Sequence, residues 1–315
     1  MNIPVILLLA VFLIGLLFGS FLNVCISRLP RRVSVVRPRS RCTECDAGVR
    51  WHDNIPMLSW ILLRGKCRDC GRHISIQYPL VELAVGLWFV YVIRVSSWIF
   101  FRDPNSDIKF SFDQIASGTV EAIGLAILGF LLIGLMVMDW QTLRLPDAFT
   151  LTGIPIGMLL VCAQAIFLGP GEDQIVLNTT HQLRLSSPGS FMSRGNVFLT
   201  GPEALIFGRL AAVCGAALIL LAVRWIYRAV RHREGMGLGD VKLLAMIAAL
   251  LGFWPAVLAL FVGVLSASVW GVFLLLSGRA DRMTKLAFGS FLSFGGLVAA
   301  MYGERVISGY AALLR

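Results

Sequence analysis

Two carboxylates and four thiols stand in surroundings that make them costly to place or useful to have. Asp139 closes the apolar run LLIGLMVMD, and Asp240 opens another in GMGLGDVKLLA. An ionisable group at the edge of an apolar span is expensive and is a functional candidate by default. Two carboxylates sharing one site cannot both ionise cheaply, so one keeps a proton while the other activates water. That arrangement hydrolyses a peptide bond without a metal or a nucleophilic serine. The competing reading is structural, because Asp240 opens a helix, where a carboxylate is a favoured cap.

Cys42 and Cys45 form one C-x2-C pair, and Cys67 and Cys70 form a second. The stretch between the pairs is slightly longer than in common zinc sites. Four thiolates can hold one tetrahedral Zn2+, and Gly48 and Gly71 follow the pairs where tight turns are needed. Disulfides are the alternative, which a reducing cytoplasm disfavours. Cys25, Cys162 and Cys214 are isolated in apolar runs and read as small packing residues.

The elements that must carry these groups are membrane helices. The chain has 57% hydrophobic and 15% charged residues over 315 positions and a mean hydropathy of +0.79, which one soluble core cannot absorb. Residues 3–27, 83–101, 122–138, 148–168, 204–223, 256–277 and 286–303 are apolar enough to span, and 241–253 reads as a shorter eighth span. The predicted fold is an all-α polytopic bundle of about eight transmembrane helices with a small cytoplasmic zinc-binding cysteine segment. The first span lacks a basic leader and a cleavage site, so it is expected to stay as a helix.

Residues 28–77 carry eleven Lys/Arg, and further basic residues cluster at 224–242, at 278–286 and at Arg144. With eight spans these fall on one side, assigned to the cytoplasm, with both termini outside. The net charge of +10 is then explained by topology and anionic lipid, and no nucleic-acid partner is required. Three parts result: a first transmembrane helix (1–27), a cytoplasmic tetracysteine segment (28–77) and a transmembrane core (78–315) with an extracytoplasmic loop at 169–203. That loop is rich in Gly, Ser, Asn and Thr, and its His181 has no ligand partner at metal spacing.

In this topology Asp139 and Asp240 share the cytoplasmic edge. Asp139 is expected at the C-terminal end of its helix and Asp240 at an N-terminal end, where an anion is favoured. The helix ends therefore assign the proton to Asp139 and the base role to Asp240. Gly237 and Gly239 are expected to let the backbone bend and deliver Asp240 to a cleft. Asp147, after Pro146, reads as a helix-entry residue. Glu82, inside the apolar run YPLVELAVG, is expected to pair with a basic residue of the cysteine segment or to serve a site there.

Taken in order, GSFLNVCISRLP (19–30), RPRSRCTEC, DNIPMLSW (53–60), CRDCGRHISIQYPLVEL, DWQTLRLPD (139–147), GMGLGDVKLLA (235–245) and KLAFGSFLSFGG (285–296) resemble the motifs of the type IV prepilin peptidases, membrane enzymes that cleave and N-methylate prepilin-like substrates. The resemblance runs through nearly the whole chain. It implies that Asp139, six residues before an L-P-D, and Asp240, in the G-x-G-D, are the catalytic pair. It implies zinc on Cys42, Cys45, Cys67 and Cys70, in a segment linked to methyl transfer from S-adenosylmethionine. Substrates would be type IV prepilins or type II secretion pseudopilins, cut between a basic leader and an apolar helix at the bacterial cytoplasmic (inner) membrane. The chain departs from the family where P-F-G-P becomes Ala287-Phe288-Gly289-Ser290, where Thr43 replaces a usual Pro, and in the apparent insertion at 169–203. A peptidase without the transferase step is the nearest alternative. A non-enzymatic transporter or assembly factor with a zinc knuckle is the third reading, and a transporter is disfavoured because the acids sit at one edge and no internal repeat is present.

Overall fold

The computed structural model describes residues 4–37, 40–42, 44–96, 112–167, 176–177, 183–184, 202–231, 237–278 and 286–313. Its helices, in chain order, are α1 (Val5–Arg28), the short α2 (Leu58–Leu62), α3 (Gln77–Val95), α4 (Phe112–Thr142), α5 (Asp147–Phe167), α6 (Pro202–Arg231), α7 (Leu238–Leu251), α8 (Phe253–Leu276) and α9 (Phe288–Leu313). The eight long helices match the eight segments expected from hydropathy. Six of them are long and apolar enough to cross a membrane by length and composition; α7, with 14 residues, and α9 are the other two. A two-residue pairing of Val176–Leu177 with Leu183–Arg184 lies in the 169–203 loop. The rest of that loop up to residue 201, His181 included, falls outside the described residues.

Helix limits differ from the hydropathy reading for a physical reason. α3 starts six residues before the apolar run and α4 ten residues before it, because helical hydrogen bonding continues through polar residues such as Gln77 and Glu121 that end a hydropathy window. Proline at Pro79 is tolerated because it lies in the first turn, where its missing N–H has no helical partner.

α7 forms the centre of the bundle, with α4, α5, α6, α8 and α9 packed around it. Leu243, Met246, Ile247 and Ala248 are wholly buried there, meeting Leu128, Leu132, Leu135 and Met138 of α4 and Leu292 of α9 in one core. The outward faces stay apolar, with Leu17, Trp225, Phe261 and Leu276 exposed. A soluble bundle would hide such faces, whereas lipid accepts them.

Small residues set how closely the helices approach. A Cβ at Gly19 of α1 would lie 2.5 Å from the Cα of Glu82 on α3, and one at Gly295 of α9 would collide with the carbonyl oxygen of Ala259 on α8. These neighbours are backbone and cannot swing aside. Gly19→Leu is therefore expected to force α1 from α3 and cost about 1–3 kcal/mol or more, as overpacking does. A fall in the thermal midpoint of the detergent-solubilised protein is the measurement; an unchanged midpoint would show that the seam can open freely.

Candidate active site and cysteine centre

α4 ends just beyond Asp139. The N–H of Leu143, at φ 52, donates to the Asp139 carbonyl at 2.8 Å, and four residues later α5 begins. The tight return carries Leu145 inward. A Cβ at Gly239 would lie 3.1 Å from Leu145, and one at Gly289 would lie 2.8 Å from Leu145 and 3.0 Å from Oδ2 of Asp139. Leu145 is thus wedged between the starts of α7 and α9, and both glycines make room for it. This corrects the expected role of the GxGD glycines. Gly237 has φ −75 and ψ 154, an extended conformation open to any residue, and Gly239 is helical; what Gly239 supplies is close approach.

Asp139 and Asp240 are 5% and 8% exposed, and they lie near enough for the charge of Asp139 to act on Asp240. Asp240 is in the first turn of α7, with the Gly237 N–H directed at its carboxylate. Asp139 is in the last turn of α4, as expected, but its carboxylate also meets the N-terminus of α9. The Ser290 N–H donates to Oδ2 at 2.8 Å, and the Ser290 hydroxyl lies 3.3 Å from the same oxygen and 2.8 Å from the Met136 carbonyl. The Gly289 N–H faces the carboxylate as well. The N-terminus of α9 offsets the C-terminal end of α4 at Asp139, so the helix ends no longer favour the proton on Asp139 over Asp240. Ser290 and Leu145 escaped the sequence reading because neither residue type is unusual beside an apolar run. The signal available for Ser290 was the altered P-F-G-P motif that contains it.

Asp147 is outside this centre. It pairs with Lys242 at 2.6 Å, tying the start of α5 to the start of α7, which fits a helix-entry residue. Gln141 of α4 contacts Gln77 of α3. The carboxylate pair and the cysteine segment consequently occupy the same end of the bundle.

In the cysteine segment the two C-x2-C pairs fold alike. Cys42 N–H donates to the Ala47 carbonyl and Cys67 N–H to the Arg72 carbonyl; the Asp46 and Gly71 N–H groups return to the Cys42 and Cys67 carbonyls. Asp46 (φ 57) and Gly71 (φ 70) hold equivalent left-handed positions, so Asp46, and not Gly48, is the counterpart of Gly71. Asparagine and aspartate tolerate that conformation better than most non-glycine residues. Thr43 lies outside the described residues.

The four sulfurs all lie within 4.8 Å of one another, and Cys42 Sγ is 3.9 Å from Cys70 Sγ. A Zn–S bond of about 2.3 Å in a tetrahedron separates sulfurs by about 3.8 Å, so the set fits one Zn2+. All seven cysteines are free of disulfides. Backbone N–H groups of Cys45 and then Glu44 pull the Cys42 thiol down to about 7. Although the Ala47 N–H acts to lower Cys45, desolvation and the neighbouring sulfurs drive it up to about 12. Four crowded thiols cannot all ionise unaided, and a divalent cation supplies the missing positive charge.

Glu82 is buried on α3, where Oε2 accepts the Met57 N–H at 2.7 Å, with a further hydrogen bond from the Ser20 side chain. Its partner in the cysteine segment is thus a backbone amide and not a basic side chain. Arg68 grips Asp53 through two hydrogen bonds of 2.8 and 2.6 Å, which hold Asp53 below the usual carboxylate range. These contacts fasten DNIPMLSW between the second cysteine pair and the membrane helices.

Residues 13–96 match the family described as Bacterial Peptidase A24 N-terminal domain, and residues 192–272 match the Type IV leader peptidase family. Asp240 lies within the second match, while Asp139 lies in the stretch between the two. Relatives named prepilin leader peptidase/N-methyltransferase include one from Stutzerimonas stutzeri, 30% identical over 99% of this chain and 96% of the relative. One from Xanthomonas campestris is 30% identical over 94% and 92%, and one from Myxococcus xanthus is 34% identical over 87% of this chain and 65% of the relative. No solved structure matches.

Proposed function

The chain belongs to the type IV leader peptidase family, and from that premise we propose that it cuts the basic leader from type IV prepilins or type II secretion pseudopilins and then N-methylates the new terminus with S-adenosylmethionine. The observation that carries the peptidase reading is the meeting of Asp139 and Asp240, two buried carboxylates from helices distant in sequence. The multi-pass bundle is assigned to the bacterial cytoplasmic membrane. Its basic loops and both centres face the cytoplasm, where the junction of leader and apolar helix is presented.

In this reading the donors on Oδ2 of Asp139 suit a carboxylate better than a carboxylic acid, so Asp139 is the base and Asp240 carries the shared proton. Asp139 takes a proton from water as the water oxygen bonds to the scissile carbonyl carbon, and Asp240 protonates the carbonyl oxygen. Asp139 then passes its proton to the leaving nitrogen as the C–N bond breaks. Asp240 recovers a proton from the diol, leaving a carboxyl and a free amine. The freed amine is the methyl acceptor, and S-adenosylmethionine, when bound, would supply the methyl group. Cys42, Cys45, Cys67 and Cys70 would hold Zn2+, which when bound supplies a structural cross-link.

Purified protein incubated with a panel of prepilin peptides and labelled S-adenosylmethionine is expected to shorten them at the leader boundary and label the trimmed product. Cleavage without label would leave a peptidase alone, and failure of both against a broad panel would overturn the proposal.

A further inference from the structure

Ser290 offers one hydroxyl proton to two acceptors, the Met136 carbonyl at 2.8 Å and Oδ2 of Asp139 at 3.3 Å. Its backbone N–H is shared between Oδ2 at 2.8 Å and the Ala287 carbonyl at 3.1 Å. The residue is buried in the first turn of α9, and the Cβ that a larger residue would add at neighbouring Gly289 would press on the same carboxylate. Oδ2 of Asp139 is therefore held by the protein.

We infer that Ser290 is a positioning residue for the peptidase step, whose hydroxyl turns toward Asp139 when that carboxylate is charged and toward the Met136 carbonyl when it is protonated. The inference rests on Asp139 being a member of the catalytic pair. During the cycle Asp139 alternates between anion and acid, and a fixed donor can match only one of these states. A hydroxyl rotates about its C–O bond at little cost, so the Met136 carbonyl keeps its proton satisfied when Asp139 no longer needs it. No bond is made or broken at Ser290.

The test compares Ser290→Ala and Ser290→Gly, both of which keep the backbone N–H and lose the hydroxyl. Each is expected to lower kcat for leader cleavage about tenfold with KM within about twofold, the size of one hydrogen bond to a charged group. Thermal midpoints report folding, and infrared difference spectra follow the carboxylate stretch that disappears in Asp139→Asn; this band should shift in both Ser290 variants. Wild-type kcat in both overturns the inference, as does a lowered kcat with an unmoved band, which would mark a packing role. Normal cleavage by Asp139→Asn would instead remove the catalytic pair itself. Loss of cleavage in Asp139→Asn beside wild-type Ser290 variants would remove only the inference.

Discussion

Asp139→Asn and Asp240→Asn should each lower leader cleavage by about 10^3-fold or more, because an amide can neither take up nor release the proton that the pair exchanges with water. Both side chains are nearly isosteric with the originals, so the bundle should persist. Ser290 can still donate to an amide oxygen at position 139, and Gly237 likewise at position 240. Methylation of a substrate supplied already trimmed should survive both changes if, as the family resemblance implies, that chemistry is linked to the cysteine segment. Separate assays of the two activities check this, and infrared spectra of each variant against pH locate the proton. Near-normal cleavage by either variant eliminates the pair. A proton found mainly on Asp139 keeps the pair and restores the assignment drawn from helix ends alone.

Replacing any of Cys42, Cys45, Cys67 or Cys70 by serine should take bound zinc from about one equivalent per chain toward none and disorder the stretch around 40–75. Structural zinc contributes an apparent ~10–16 kcal/mol in small zinc-binding peptides, more than the marginal stability of most domains. The segment has little regular secondary structure: among the described residues α2 is five residues long, and each cysteine pair carries one isolated β-bridge, Arg41 with Gly48 and Lys66 with His73. Glu82 and Met57 would retain their hydrogen bond only while DNIPMLSW keeps its shape. Metal analysis and limited proteolysis measure the outcome, with loss of methyl transfer expected to exceed loss of cleavage. A zinc-free protein that resists proteolysis and keeps both activities would exclude a metal role.

The parts of the site legible from sequence were those whose residue types clash with their surroundings. Asp139 and Asp240 stood out because a carboxylate in an apolar run demands a reason, and the four cysteines because their spacing repeats. Glu82 announced itself in the same way, yet its partner, a backbone amide of Met57, has no sequence signature at all. Leu145 was invisible for the opposite reason, since it is ordinary where it stands, and Ser290 showed only as an altered motif position; each gains its meaning from Gly239 or Asp139 beside it. The glycines show how a correct motif can carry a wrong cause: Gly239 was read as a bend and is a space. Helix ends were misplaced wherever a polar residue such as Glu121 interrupted the hydropathy but not the backbone hydrogen bonding.

One further property follows from the central position of α7. At about 1.5 Å per residue it is about 21 Å long, short of a hydrocarbon layer of about 30 Å, and it turns into α8 at Gly252, whose φ of 100 suits glycine. Broken backbone at such depth is tolerated where protein surrounds it, and here five helices do. The helix that carries Asp240 is consequently hung from its neighbours and has little contact with lipid. Acyl-chain length, which tilts or stretches helices in contact with the bilayer, has little purchase on it, and the reacting geometry is buffered against changes in the thickness of the host membrane.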